Sequence, residues 1–144
     1  MSYVRIWLHC VWGTKNRMPQ LTKEVLSELI DHIRINSKEK GIYIDTINGH
    51  SEHIHCIISL GPDQTLAKVI QLIKGESSFW INRNKLTRYS FAWAVEYYGV
   101  SVSESDISRV RLYIKNQEIH HKIKTWEDEC NEMIKEYGFD RFNS

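Results

Sequence analysis

The nine residues from Glu52 to Leu60 constrain the fold most, because they alternate with the period of a strand. Successive side chains of an extended chain point to opposite faces. Ile54, Cys56, Ile58 and Leu60 therefore share one face, and His53, His55, Ile57 and Ser59 share the other. The first face is suited to packing. The second carries polar chemistry, with two imidazoles on the same side of a sheet.

Around this strand the chain reads as alternating short strands and longer helices. Tyr3 to Trp12, rich in aromatic and β-branched residues, predicts a first strand, and Gly13 to Pro19 a polar, basic loop. Thr22 can cap a helix whose buried stripe is Leu26, Leu29, Ile30 and Ile33, with Gly41 ending it. Ile42 to Asn48 predicts a second strand, joined tightly to the third by Gly49-His50-Ser51. After the Gly61-Pro62-Asp63 break, Leu66, Val69, Ile70 and Ile73 line a second helix that continues through Phe79, Trp80 and Ile81. Ser90 to Val102 predicts a fourth strand, irregular near Gly99. Ser103 with Asp106 forms a capping-box signature, and Ile107, Val110 and Ile114 recur at helical spacing behind it. Thr125 with Asp128 repeats the signature for a last helix, with Cys130, Met133, Ile134 and Tyr137 inward and Gly138 as its stop.

The order strand–helix–strand–strand–helix–strand is that of a ferredoxin-like (RRM-like) α+β unit. An antiparallel sheet with two helices on one face leaves the histidine face for the appended helices. A single domain follows, with a core over residues 1–102 and an appended tyrosine helix and C-terminal helix over 103–144. No apolar run approaches the ~20 residues of a membrane helix. The N-terminus carries no secretory signal pattern, and three cysteines without close pairing suit a reducing compartment, so a cytoplasmic location is expected.

The net charge is only +1, but it is unevenly spread. Lys68, Lys74, Arg83, Lys85 and Arg88 face Glu76 alone, whereas Glu127 to Asp140 is strongly acidic. A basic segment is a candidate phosphate-facing surface, although a solvated helix face has the same composition. Tyr113 and Gln117 are four residues apart, hence on one helix face. Two strand histidines beside that tyrosine and carboxamide would make a metal site next to a phenol, suited to breaking a phosphodiester bond. Each part alone has a plainer reading: a surface His-x-His pair, a core aromatic. His50 lies in a turn, and His120 and His121 near a helix end fit the negative pole of its dipole. P-loop, CxxC and G-x-S-x-G patterns are absent from the sequence.

His53-Ile54-His55, followed by Tyr113-Ile114-Lys115-Asn116-Gln117-Glu118-Ile119-His120-His121, resembles the single-tyrosine transposases of the HUH endonuclease superfamily. These include the transposases of hairpin-ended insertion sequences and their repeat-associated relatives. His9 to Arg17 is similar to that family's first strand and basic loop, Lys74 to Trp80 to its second helix, and Ser101-Val102-Ser103 to the lead-in of its tyrosine helix. The resemblance implies Tyr113 as nucleophile, and His53, His55 and Gln117 as ligands of Mg²⁺ or Mn²⁺. It implies cleavage and rejoining of single-stranded DNA at hairpin-marked ends through a 5′-phosphotyrosine. It also implies a homodimer whose sites combine the histidines of one subunit with the tyrosine of the other. Glu52 stands where an aspartate is expected, and Glu96 to Val100 departs from the family's glycine-then-aromatic pattern. Lys15, Arg17, Lys74, Arg83, Lys85 and Arg88 are the expected DNA-backbone contacts. Two alternatives share parts of this pattern: a replication-initiator or relaxase-type nickase, and a non-catalytic ferredoxin-like nucleic-acid-binding module. An SDS-resistant protein–DNA adduct excludes the latter.

Overall fold

The computed structural model of the chain describes residues 2–117 and 124–137. Four strands, β1 (Trp7–Gly13), β2 (Tyr43–His50), β3 (His53–Ser59) and β4 (Tyr98–Val102), form one sheet in the order β2-β3-β1-β4. Every neighbouring pair is antiparallel. With α1 (Lys23–Glu39) between β1 and β2, and α2 (Leu66–Arg83) between β3 and β4, this is the expected ferredoxin-like α+β topology. Among the described residues two further helices follow, α3 (Ile107–Lys115) and α4 (Trp126–Tyr137).

The alternation of β3 sorts the two sides of the sheet. Ile54, Cys56 and Ile58 join Cys10 and Trp12 of β1 in the main core, closed by Leu29 and Ile33 of α1 and by Val69, Ile70 and Ile73 of α2. Leu26, Ile30 and Leu60 pack against this core partly buried. On the opposite face, Ile57 and Trp7 pack with Ile107 and Ile114 of α3, and Val11 packs with Trp126 and Cys130 of α4. The histidine face is therefore roofed rather than open.

Three local features place that roof. First, β2 and β3 are joined by a two-residue turn, with His50 opposite His53. A Cβ on Gly49 would lie 2.4 Å from the His53 carbonyl oxygen, so only glycine permits this approach. Second, the β2–β3 register shifts between Ile44 and Thr46, leaving Asp45 outside the ladder. Such a bulge re-aims its side chain; Asp45 forms a two-pronged pair with Arg111 of α3 at 2.8 Å in both arms. Third, the Asn48 side chain donates to the Ile114 and Lys115 carbonyls, both at 3.1 Å, tying the end of α3 to β2.

Several expected boundaries shift. β1 starts at Trp7 instead of Tyr3 because its partners end there: Trp7 pairs with Ser59 and with Val102. The expected strand from Ser90 shrinks to Tyr98–Val102, with one isolated bridge between Thr14 and Trp93. Side chains, not a neighbouring strand, satisfy much of the backbone before it. Asn82 bonds both the N–H and the carbonyl of Phe91. Lys74 Nζ donates to the carbonyls of Ala94, Val95 and Glu96. The capping box expected at Ser103 does not form, since Asp106 makes no side-chain cap bond; the Asp106 N–H instead reaches the Ser103 carbonyl. At α4, Thr125 Oγ1 does accept from the Asp128 N–H. Cys130 is buried as expected, but Ile134, one turn further along the same face, is exposed. The readings for Gly138, His120 and His121, and for the side chains of Met133 and Tyr137, lie outside the described residues.

Candidate active site

His53 and His55 leave β3 on the side covered by α3 and α4, and both are completely buried. Burial of an imidazole requires that its nitrogens be satisfied. His53 Nδ1 lies 3.1 Å from Glu52 Oε1, and His55 Nδ1 lies 2.9 Å from His9 Nε2. Both rings are thus held by Nδ1, which turns both Nε2 atoms toward the same space. A ring nitrogen fixed in this way, by a carboxylate above all, is the usual support of a metal-binding histidine. Burial holds His55 down to about 3 and His9 down to about 4, with Glu129 opposing the shift in each case, so both imidazoles are neutral at pH 7. Burial raises the Glu52 carboxyl, but hydrogen bonds from His53 and Ser51 outweigh it and the net shift is downward.

The space in front of the Nε2 atoms is lined from α3 and α4. Gln117 is fully buried just beyond the last turn of α3, its Oε1 3.2 Å from His53 Nε2 and its Nε2 3.3 Å from the Tyr113 carbonyl. Tyr113 faces the same space, with its ring centroid 5.6 Å from that of His55 and 6.2 Å from that of His9. Glu129 enters from α4, 2% exposed, with Oε1 3.0 Å from His55 Nε2 and Oε2 3.7 Å from His53 Nε2. The Tyr113 hydroxyl donates to Glu129 Oε1. Trp126 closes the site, stacked flat on His53 at 4.2 Å; Gly13 makes room for it, since a Cβ there would stand 3.1 Å from the indole nitrogen.

This donor arrangement fits a metal ion. His53 Nδ1 faces the Glu52 carboxylate, and its Nε2 faces the oxygens of Gln117 and Glu129. Acceptors that face one another across a buried space call for a cation between them. The ligand atoms of His53, His55 and Glu129 lie within 4.8 Å of one another.

The four residues singled out from the sequence, His53, His55, Tyr113 and Gln117, thus come together at one place. The basic residues are spread more widely. Lys15 and Arg17 are exposed on the short turn after β1, where Arg17 pairs with Glu127 of α4 at 3.3 Å. Lys74 is committed to the loop carbonyls, and burial lowers its pKa. Arg83, Lys85 and Arg88 are exposed at the end of α2 and in the turn beyond it. Two site residues escaped the sequence reading. The sequence alone places His9 only within a strand and Glu129 only within an acidic run. Trp126, Glu129 and Cys130, spaced as one helix face, carried a signal that Glu129 points inward.

Comparison with known proteins follows the same lines. The family described as "Transposase IS200 like" matches residues 2–117. The ISDra2 transposase TnpA of Deinococcus radiodurans is 25% identical over 114 residues, covering 76% of this chain and 81% of that protein. A crystal structure of a Deinococcus radiodurans R1 protein described as a transposase superposes with a TM-score of 0.66 at 23% identity, covering 81% of this chain and 95% of that one. The REP-associated tyrosine transposase, solved bound to a REP hairpin, superposes with a TM-score of 0.64 at 19% identity, covering 84% of this chain and 72% of that one. At these identities the two structures speak for the fold.

Proposed function

Because the chain belongs to the IS200-like transposase family, we propose that it cleaves and rejoins single-stranded DNA at hairpin-marked ends, with Tyr113 as the nucleophile. The observation that carries this reading is the contact between Tyr113 and the buried histidine pair, with ring centroids of Tyr113 and His55 5.6 Å apart. The sheet of residues 1–102 supplies the histidines, and residues 103–144 supply the tyrosine helix and α4. The hairpin is the ligand of the REP-associated relative, and a hairpin end is the substrate class proposed here.

In the reaction the Tyr113 oxygen attacks the scissile phosphorus. The bond from phosphorus to the tyrosine oxygen forms as the phenol gives up its proton toward the Glu129 carboxylate, the bond to O3′ breaks, and the leaving oxygen takes up one proton to become a 3′-hydroxyl. The 5′-phosphotyrosine keeps the ester energy, so attack by another 3′-hydroxyl rejoins the strand without ATP. His53, His55 and Gln117 would hold Mg²⁺ or Mn²⁺, which when bound neutralises phosphate charge and orients the scissile group. Glu52 and His9 fix the imidazole orientations through Nδ1. Arg111 and Asn48 hold α3, and with it Tyr113, against β2. Lys15, Arg17, Arg83, Lys85 and Arg88 are the proposed backbone contacts. Lys74 supports the loop before β4, so in this reading it acts on DNA only through that loop.

We also place the chain in a homodimer that shares sites. β4 is an edge strand, and pairing two such edges removes both. Within one chain α3 docks on its own β2 and sets Tyr113 beside its own His55, so sharing requires α3 to leave that seat and cross to the partner's sheet through the link of residues 103–106.

The test uses His53→Ala, a hairpin oligonucleotide and a Mg²⁺ series. Cleavage should be abolished while hairpin binding is retained. Normal cleavage across the series would remove the metal from the mechanism.

A further inference from the structure

We propose that Glu129 is a protein ligand of the same metal site, so that α4 contributes an anionic donor beside the two imidazoles and Gln117. The inference rests on the reading that His53 and His55 hold a divalent ion, and it changes that site in kind. Two imidazoles and a carboxamide are all neutral, whereas a carboxylate lowers the charge of the bound centre by one. Hard cations such as Mg²⁺ and Mn²⁺ favour such an oxygen donor.

Three observations converge on Glu129. Glu129 is 2% exposed, although it belongs to a helix whose first turn is otherwise acidic and exposed at Glu127 and Asp128. A buried carboxylate is costly unless positive charge or several donors compensate it. Its two oxygens address different histidines, Oε1 toward His55 Nε2 at 3.0 Å and Oε2 toward His53 Nε2 at 3.7 Å. Both Nδ1 atoms are engaged, by His9 and Glu52, so the nitrogens facing Glu129 are the ones turned into the site. Finally, α4 is seated by packing that does not involve Glu129. Trp126 stacks on His53 and fills the space left by Gly13, and Cys130 packs with Val11 and Tyr98.

One consequence concerns the nucleophile. The Tyr113 hydroxyl donates to Glu129 Oε1, so a single carboxylate holds the attacking oxygen beside the position the ion takes. Glu129 is then both a ligand and the group that sets where Tyr113 waits.

The test measures Mn²⁺ binding to the full chain without DNA, by calorimetry and by the electron paramagnetic resonance of free Mn²⁺. Wild type is compared with Glu129→Gln, Glu129→Asp and His55→Ala, each checked by thermal melting. Glu129→Gln keeps size and an acceptor for Tyr113 while removing the charge, and should weaken Mn²⁺ binding by about tenfold or more. Glu129→Asp restores the charge on a shorter arm and should bind between wild type and Glu129→Gln. If Glu129→Gln binds within about twofold of wild type while His55→Ala has lost the ion, the Glu129 assignment is wrong and the histidine site stands. If Glu129→Asp is no better than Glu129→Gln, the residue acts through packing and the assignment is again wrong. If His55→Ala also binds as wild type, the underlying metal reading fails.

Discussion

Truncating Ile114 to alanine tests whether the tyrosine helix is a separately docked unit. Ile114 is completely buried in a cluster with Trp7, Ile57 and Ile107, the apolar seal between α3 and the histidine face. Replacing a buried isoleucine by alanine costs about 2–5 kcal/mol, the upper end applying where the surroundings cannot collapse. Here only four buried residues form the cluster, and α3 can settle into the gap, so the lower half of that range applies. Alanine also recovers a few tenths of a kcal/mol of helix propensity. The net loss is about 2–3 kcal/mol, which at about 1.4 kcal/mol per factor of ten raises the undocked population roughly thirty- to a hundredfold. Native-state hydrogen exchange reads this directly. Amides in the last turn of α3 should exchange faster by that factor, while those of β1 and β3 keep their protection. Equal acceleration of the β3 amides would show that α3 opens only with the whole domain and refute the reasoning.

Two further expectations follow from the same contacts. The Arg111 hydrogen bond holds the Asp45 carboxyl below its ordinary value, against the opposing effect of burial. A depressed carboxylate stabilises the fold above the unfolded pKa of about 4 and loses that contribution as pH falls further. The stability difference between wild type and Asp45→Asn, measured by urea unfolding, should therefore be constant near pH 7 and shrink below about pH 4; a difference independent of pH would show that the pair is not energetic. Subunit sharing is decided by mixing His55→Ala with Tyr113→Phe chains, each inactive alone. Sharing restores cleavage in the mixed dimer, because one site then has intact histidines and tyrosine; sites built within one chain leave every site defective and restore none.

The sequence made the site's strand legible because period-two alternation is local: His53 and His55 can only point together. Tyr113 and Gln117 were legible as a helical pair for the same reason, although Gln117 reaches its place just past the last turn of α3. What stayed hidden depends on register. His9 shares a face with Val11, and Val11 pairs with His55, but nothing within β1 announces that pairing. Glu129 depends on how α4 packs across the sheet, and its acidic neighbours mask its inward direction. The fourth strand was overestimated because propensity is blind to competing partners. Ser90 to Tyr97 is as aromatic as a strand, yet Asn82 and Lys74 take its backbone groups before another strand can. The Asp45 bulge, which fixes α3 through Arg111, likewise leaves no mark in a run that alternates smoothly.

The central claim is that Tyr113 forms the covalent bond to DNA. Incubating the chain with a labelled single-stranded hairpin substrate and Mn²⁺, denaturing in SDS and mapping the nucleotide-bearing peptide by mass spectrometry tests it directly. The adduct should map to Tyr113, and Tyr113→Phe, which removes only the hydroxyl, should bind the hairpin and form none. An adduct on Tyr97, Tyr98 or any other residue, or its persistence in Tyr113→Phe, would contradict the account.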